Sequence, residues 1–95
     1  MKTIFWNVDT SYDFMRNDEV YKGSLAINNA RVIEPNLEAL TNYAEKRNIR
    51  VVNTADMHDE DTKEISKNPN FIQTFPEHCM RGTLGAAFIP PTSPR

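Results

Sequence analysis

Two residue types that bind metal ions lie two positions apart in the middle of the chain. Asp56 and His58 flank Met57, directly after a run rich in β-branched residues. Alternate side chains of an extended backbone point to the same face, so this spacing lets both hold one ion. His78 is the second of the 2 histidines, and carboxylate and imidazole donors suit Zn²⁺, Fe²⁺ or Mn²⁺. Spacing alone is a weak signal, since a turn-capping Asp and solvent-facing histidines would give the same pattern.

Three further carboxylates stand near these residues in sequence or on the same predicted edge. Glu64 could supply another oxygen to the same ion. Asp9 follows the first predicted strand, where an aspartate commonly caps a turn. In a partly buried cleft that raises its pKa, Asp9 could instead act as a general base. Asp13 is expected to anchor the loop that follows it.

The single cysteine, Cys79, is adjacent to His78. A neighbouring cation could activate its thiol as a nucleophile. However, adjacent residues of an extended segment point to opposite faces, so a His78 that faces an ion turns Cys79 into the packed interior. We therefore predict a packing role. One cysteine cannot form an intramolecular disulfide, which favours a reducing, cytoplasmic setting.

The elements that must position these side chains are a strand, a helix and a second strand. Residues 3–8 and 49–54 are rich in β-branched and aromatic residues, which predicts strands. Between them, a helix is predicted to start at Pro35 or Asn36. Its apolar stripe is Ile33, Leu37, Leu40 and Ala44. This βαβ unit predicts an α/β fold with parallel strands, whose carboxyl ends form the ligand-binding edge.

The remaining segments are predicted to be irregular. Residues 17–29 lack a sustained period and indicate a surface loop, and residues 59–76 indicate an excursion over the ligand-binding edge. The Pro-rich end, residues 90–95, cannot be a central strand and is interpreted as a linker. Residues 1–95 are expected to form part of one domain.

Composition excludes several classes of function. The chain has 95 residues, of which 39% are hydrophobic and 25% charged, and a formal net charge of −2. That balance gives no basic footprint for nucleic acid or for an anionic membrane surface. The apolar run Ile4-Phe5-Trp6 is far shorter than a signal sequence or the ~20 residues of a membrane span. We expect neither nucleic acid nor membrane as a partner.

Taken together, four separate motifs resemble the isochorismatase-like cysteine hydrolases, in particular the nicotinamidase branch. The resemblance implies a doubly wound parallel sheet with helices on both faces, of which this chain would be the N-terminal half. The order and spacing of the motifs agree with the family, and the resemblance covers nearly the whole chain. The motifs are Val8-Asp9-Thr10-Ser11-Tyr12-Asp13-Phe14, Pro35-Asn36-Leu37, Thr54-Ala55-Asp56-Met57-His58, and Phe75-Pro76-Glu77-His78-Cys79 with Gly82-Thr83-Leu84-Gly85-Ala86.

The resemblance also implies roles for individual residues. Asp9 matches the triad aspartate, which acts as general acid and base. Asp56, His58 and His78 match ligands of a divalent metal, usually zinc, that holds the ring nitrogen of nicotinamide. Glu64 stands where a further histidine ligand is common, so a carboxylate would replace an imidazole there. The implied activity is hydrolysis of nicotinamide to nicotinate and ammonia, a step of NAD metabolism.

Two aromatic residues match the lining of the ring pocket, and two triad members are absent. Phe14 and Phe75 match the pocket positions. Ser11 departs from the family, which usually has Gln there. Cys79 matches a non-catalytic position, so the triad lysine and the nucleophilic cysteine are expected beyond residue 95, in a C-terminal half or a second chain.

Two functional hypotheses follow. The chain is either part of an amidohydrolase acting on a small amide, inactive alone, or a non-catalytic metal-binding module. An incomplete parallel sheet leaves an open edge and an apolar face, so a module of this kind is expected to form homo-oligomers or to bind a partner.

Overall fold

A parallel pair of strands forms the centre of the fold. The structure, a computed structural model, describes residues 2–95. Strand β1, Ile4–Val8, pairs with strand β2, Arg50–Thr54, in a register that places Trp6 opposite Val52. Both predicted strands and their parallel pairing are confirmed. Their carboxyl ends therefore lie at one edge of the sheet, where Asp9 and Asp56 follow them.

The crossover between the strands is a helix that begins slightly earlier than predicted. This helix is the second in the chain, α2, and covers Glu34–Lys46 with Pro35 in its first turn. Pro is tolerated there because the first helical N–H groups have no intrahelical partner. Ala44 is fully buried, but Leu40 is half exposed. The rest of the described chain therefore covers only part of the predicted apolar stripe.

Two short elements were not expected from the sequence. Helix α1, Tyr12–Met15, follows β1, and a 3₁₀ turn, Ala30–Ile33, leads into α2. Neither is long enough to show a hydrophobic period. The Arg16 guanidinium closes this region by donating to the Glu34 carboxylate through Nε at 2.7 Å and Nη2 at 2.8 Å. These two parallel hydrogen bonds fix the end of α1 against the start of α2.

The carboxylate of Asp13 ties three segments together. It is buried and accepts hydrogen bonds from the Tyr21 hydroxyl at 2.5 Å, the Ser24 N–H at 3.2 Å and the Cys79 N–H at 2.7 Å. A side chain at Gly85 would overlap this carboxylate. Burial raises the pKa of the Tyr21 phenol to about 12, and its hydrogen bond to Asp13 acts in the same direction. The predicted anchoring role of Asp13 agrees with these contacts.

The Pro-rich end is packed, which corrects its interpretation as a linker. Residues Pro90–Thr92 form a 3₁₀ turn, preceded by the buried Ile89. The hydroxyls of Thr10 and Thr92 are 2.8 Å apart, and the Asn53 amide donates to the Thr92 carbonyl at 3.0 Å. Composition suggested a linker because prolines disfavour strands, but they are compatible with a turn docked on the sheet.

One face of the sheet is open in this chain. Its apolar residues, called here the open sheet face, are substantially exposed: Ile4, Trp6, Val8 and Val52. They alternate with inward-facing residues along each strand, as the burial patterns of β1 and β2 show. Among residues 2–95, no helix has the length and apolar character to cross a bilayer.

We expect Asp13→Ala to lower the free energy of unfolding by about 2–4 kcal/mol, because three donors lose their acceptor at a largely buried position. Urea titration followed by circular dichroism measures this change. Asp61→Ala, at an exposed position of the same residue type, serves as the matched control and should change stability little. Equal stabilities of the two variants would contradict the anchoring role of Asp13.

Candidate active site and metal centre

The carboxyl ends of both strands carry candidate site residues. The Asp9 N–H donates to the Thr54 carbonyl at 3.0 Å, which holds the two strand ends together. Asp9 has a φ of 59°, a left-handed conformation that is uncommon for residues other than glycine. Such strain persists only where surrounding contacts impose it, and it is concentrated at functional sites.

Backbone pairing between two loops brings the histidines together. The His58 N–H donates to the Cys79 carbonyl at 2.9 Å, and the Arg81 N–H donates to the His58 carbonyl at 2.7 Å. The imidazole rings of His58 and His78 consequently lie 4.8 Å apart between centroids, in an edge-to-face arrangement. Two residues separated by twenty positions in sequence thus lie side by side.

Asp56, His58 and His78 present their donor atoms to a common point. Asp56 Oδ2 is 3.6 Å from His58 Nε2 and 3.9 Å from His78 Nε2. One donor atom from each residue lies within 4.8 Å of the others. Donors bound at ~2.1 Å to one tetrahedral ion are separated by roughly 3.4 Å, so the observed cluster is slightly wider than an ion would require.

The ring nitrogens are disposed as metal ligands require. The Nδ1 of His78 is 2.7 Å from the Pro76 carbonyl, which can only accept, so Nδ1 carries the proton and the lone pair of Nε2 is free to bind a metal ion. His58 is 7% exposed and His78 3% exposed. Among residues 2–95, the Nε2 of His58 is a buried side-chain atom without a hydrogen-bond partner. A buried unpaired nitrogen aimed at another imidazole and a carboxylate fits a metal ligand.

Glu64 stands beside this cluster. Its Oε1 lies 3.0 Å from His58 Nε2, in a direction that does not form a hydrogen bond. The backbone of Glu64 is fixed because its carbonyl accepts from the Phe75 N–H at 2.7 Å. The Glu64 carboxylate therefore lies beside the three-residue cluster and is the nearest candidate for a fourth donor.

The charge environment of Asp9 suits proton transfer. Burial raises the pKa of the Asp9 carboxyl above its ordinary value of 3.8, and the negative charge of Asp56 raises it further. A carboxyl with a raised pKa is a better general base for a neutral-pH reaction than an ordinary aspartate.

An open cleft of about 700 Å³ extends from the cluster. Its polar end holds Asp56, Glu64 and His78, and Phe14 and Phe75 line its wall. The rings of Phe14 and Phe75 lie 5.6 Å and 6.2 Å from the His78 ring. The cleft also takes residues from both surface loops: Asn17, Gly23, Ser24, Leu25, Ala26, Ile27 and Phe71. The sequence did not predict that these loop residues line the cleft, because no local motif distinguishes them and only the folded chain brings them there.

Cys79 is turned into the packed interior, as predicted, but it does not lie in an extended segment, because its φ of 49° is left-handed. It is fully buried, and its Sγ lies 3.2 Å from the Ser11 hydroxyl. Burial raises the pKa of the Cys79 thiol to about 11. A buried thiol that stays protonated near neutral pH is a poor nucleophile.

Because Cys79 is buried and protonated, we expect alkylation by iodoacetamide at pH 8 to be at least roughly tenfold slower in the folded chain than in denaturant. Mass spectrometry of timed samples measures the rate. Equal rates in the two conditions would contradict a packed Cys79, while a faster reaction in the folded chain would indicate an activated thiol.

The sequence and the fold of this chain are similar to those of known nicotinamidases. No protein-family model matches the sequence. The chain is 34% identical over 80 residues to a nicotinamidase/pyrazinamidase from Mycobacterium tuberculosis, a match that covers 80% of this chain and 40% of that protein.

Solved structures agree with that match. A nicotinamidase/pyrazinamidase from Bacillus subtilis superposes with a TM-score of 0.74 at 28% identity over 99% of this chain and 48% of that protein. A pyrazinamidase/nicotinamidase from Streptococcus mutans gives a TM-score of 0.70 at 25% identity, covering 90% of this chain and 44% of that protein. The chain thus spans less than half the length of these relatives. It is similar in sequence to these nicotinamidases and shares the fold of their N-terminal part.

Proposed function

We propose that this chain supplies the metal-binding and ring-binding part of an amidohydrolase that converts nicotinamide to nicotinate and ammonia. The observation that carries the proposal is the buried, unpaired Nε2 of His58, which lies beside the donor atoms of Asp56 and His78. Asp56 and His78 in turn line the polar end of an aromatic cleft. The similarity to nicotinamidases supports the substrate class.

The donors fit a divalent ion. Asp56, His58 and His78 would hold it, with Glu64 as a fourth ligand, and this set of two oxygens and two nitrogens suits Zn²⁺, with Fe²⁺ or Mn²⁺ as alternatives. When bound, the ion supplies a Lewis-acid contact for the nitrogen of the substrate ring. Phe14 and Phe75 would flank that ring and orient the amide.

Asp9 would act as the general acid and base of the reaction. Its raised pKa favours proton uptake from a nucleophile and later donation to the departing ammonia. The nucleophile would come from residues outside this chain, because Cys79 is buried and faces away from the cleft. A lysine that assists Asp9 would likewise lie outside it. The free thiol of Cys79 is compatible with the reducing cytoplasm, where we propose the protein acts.

The second candidate is a non-catalytic metal-binding module. The open sheet face favours it, because exposed apolar strand residues need a covering surface. In an amidohydrolase the remaining half of the fold would provide that cover. In a module, a second copy or another protein would do so.

We expect the 95-residue chain, supplied with zinc and nicotinamide, to release no ammonia above a protein-free background, because its single cysteine is buried and does not line the cleft. An enzyme-coupled ammonia assay measures this. Turnover by the chain that Cys79→Ala abolishes would contradict the account.

The coding sequence past Arg95 separates the two candidates. A continuation that contains a lysine and a cysteine before a helix should yield an active product, and Asp9→Asn should lower its kcat roughly 10²- to 10⁴-fold. A stop codon after Arg95 would favour the module, and an Asp9→Asn product of unchanged activity would contradict the hydrolase proposal.

A further inference from the structure

A strained aromatic residue stands at the mouth of the cleft. Phe71 has a φ of 60°, a left-handed conformation that is a genuine outlier for a bulky side chain. Its side chain is 61% exposed, so it adds little to the core. Glycine would adopt this backbone conformation without strain, and packing in the core does not explain why an aromatic residue occupies the position.

The loop around Phe71 is fixed by its neighbours. The Asn70 carboxamide oxygen accepts from the N–H groups of Ile72 and Gln73, both at 2.8 Å. The Phe71 N–H donates to the Thr74 carbonyl at 2.8 Å. These bonds use the backbone and the Asn70 side chain only, so they would persist with another residue at position 71.

The Phe71 ring extends the aromatic wall outward from the candidate metal centre. It meets the Phe75 ring edge to face, with centroids 6.4 Å apart and an interplanar angle of 85°. Phe75 in turn lies 6.2 Å from the His78 ring. Phe71 borders the same cleft as Leu25 and Ile27 of the first surface loop.

We infer that Phe71 is a specificity-determining residue of the cleft, whose ring contacts the flat face or edge of an aromatic amide held at the metal centre. Aromatic pairs prefer such offset or edge-to-face contacts and gain stability beyond burial alone. The inference rests on the proposed function, because it takes the ligand to be an aromatic amide. It adds that a residue outside the metal and triad positions selects aromatic over saturated rings.

Nicotinamide and cyclohexanecarboxamide are the probes for this role. The zinc-loaded chain is titrated with each by NMR, in unsubstituted form and as Phe71→Gly and Ile72→Gly. Ile72 is the matched control because it belongs to the same loop, is 83% exposed and does not line the cleft. We expect Phe71→Gly to weaken nicotinamide binding roughly five- to tenfold without lowering the melting temperature. Ile72→Gly should stay within about twofold. Cyclohexanecarboxamide lacks the ring nitrogen that the metal would hold, so it should bind weakly, and equally so to the unsubstituted chain and both variants.

The outcomes separate the inference from the proposed function. Nicotinamide affinity unchanged in Phe71→Gly overturns the role of Phe71 and leaves the proposed function standing. An unsubstituted zinc-loaded chain that binds no nicotinamide overturns both. If Phe71→Gly fails to fold, an intermolecular nuclear Overhauser effect between nicotinamide and the Phe71 ring of the unsubstituted chain decides, since its presence supports the contact and its absence overturns it.

Discussion

The buried carboxylate of Asp13 is the interaction on which the other features of the site depend. It joins α1, the loop at Tyr21 and Ser24, and the backbone of Cys79. The residue before Cys79 is His78, so the same hydrogen bond that holds Cys79 also positions a candidate metal ligand. A charged group at this depth is tolerated because each contact is a donor, and its removal would leave those donors unpaired.

The parallel strand pair supplies the second constraint. Asp9 and Asp56 come from different strands, and they lie at one edge because a βαβ crossover makes the strands run in the same direction. The strand ends provide Asp9 and Asp56, and α1 provides Phe14. The longer loops provide Glu64, His78 and Phe75. Loops positioned by rigid elements thus carry much of the candidate ligand-binding surface.

The sequence predicted the parts of this arrangement that depend on local pattern. Both strands, the crossover helix and the edge with Asp56 and His58 follow from periodicity and from the rule for parallel sheets. The short helix α1 and the packing of the Pro-rich end did not, because a four-residue helix has no period and docking depends on distant partners such as Thr10. Phe71 was also missed, since a left-handed φ leaves no sequence signal at an aromatic residue.

The central claim is that Asp56, His58 and His78 form one metal site, and calorimetric titration of the metal-free chain with Zn²⁺ tests it most directly. The account predicts one ion per chain, with an affinity that falls more than roughly tenfold in Asp56→Asn and is unchanged in Asp61→Asn, an exposed aspartate nearby in sequence. No saturable binding by the unsubstituted chain, or equal affinities in the two variants, would contradict the account.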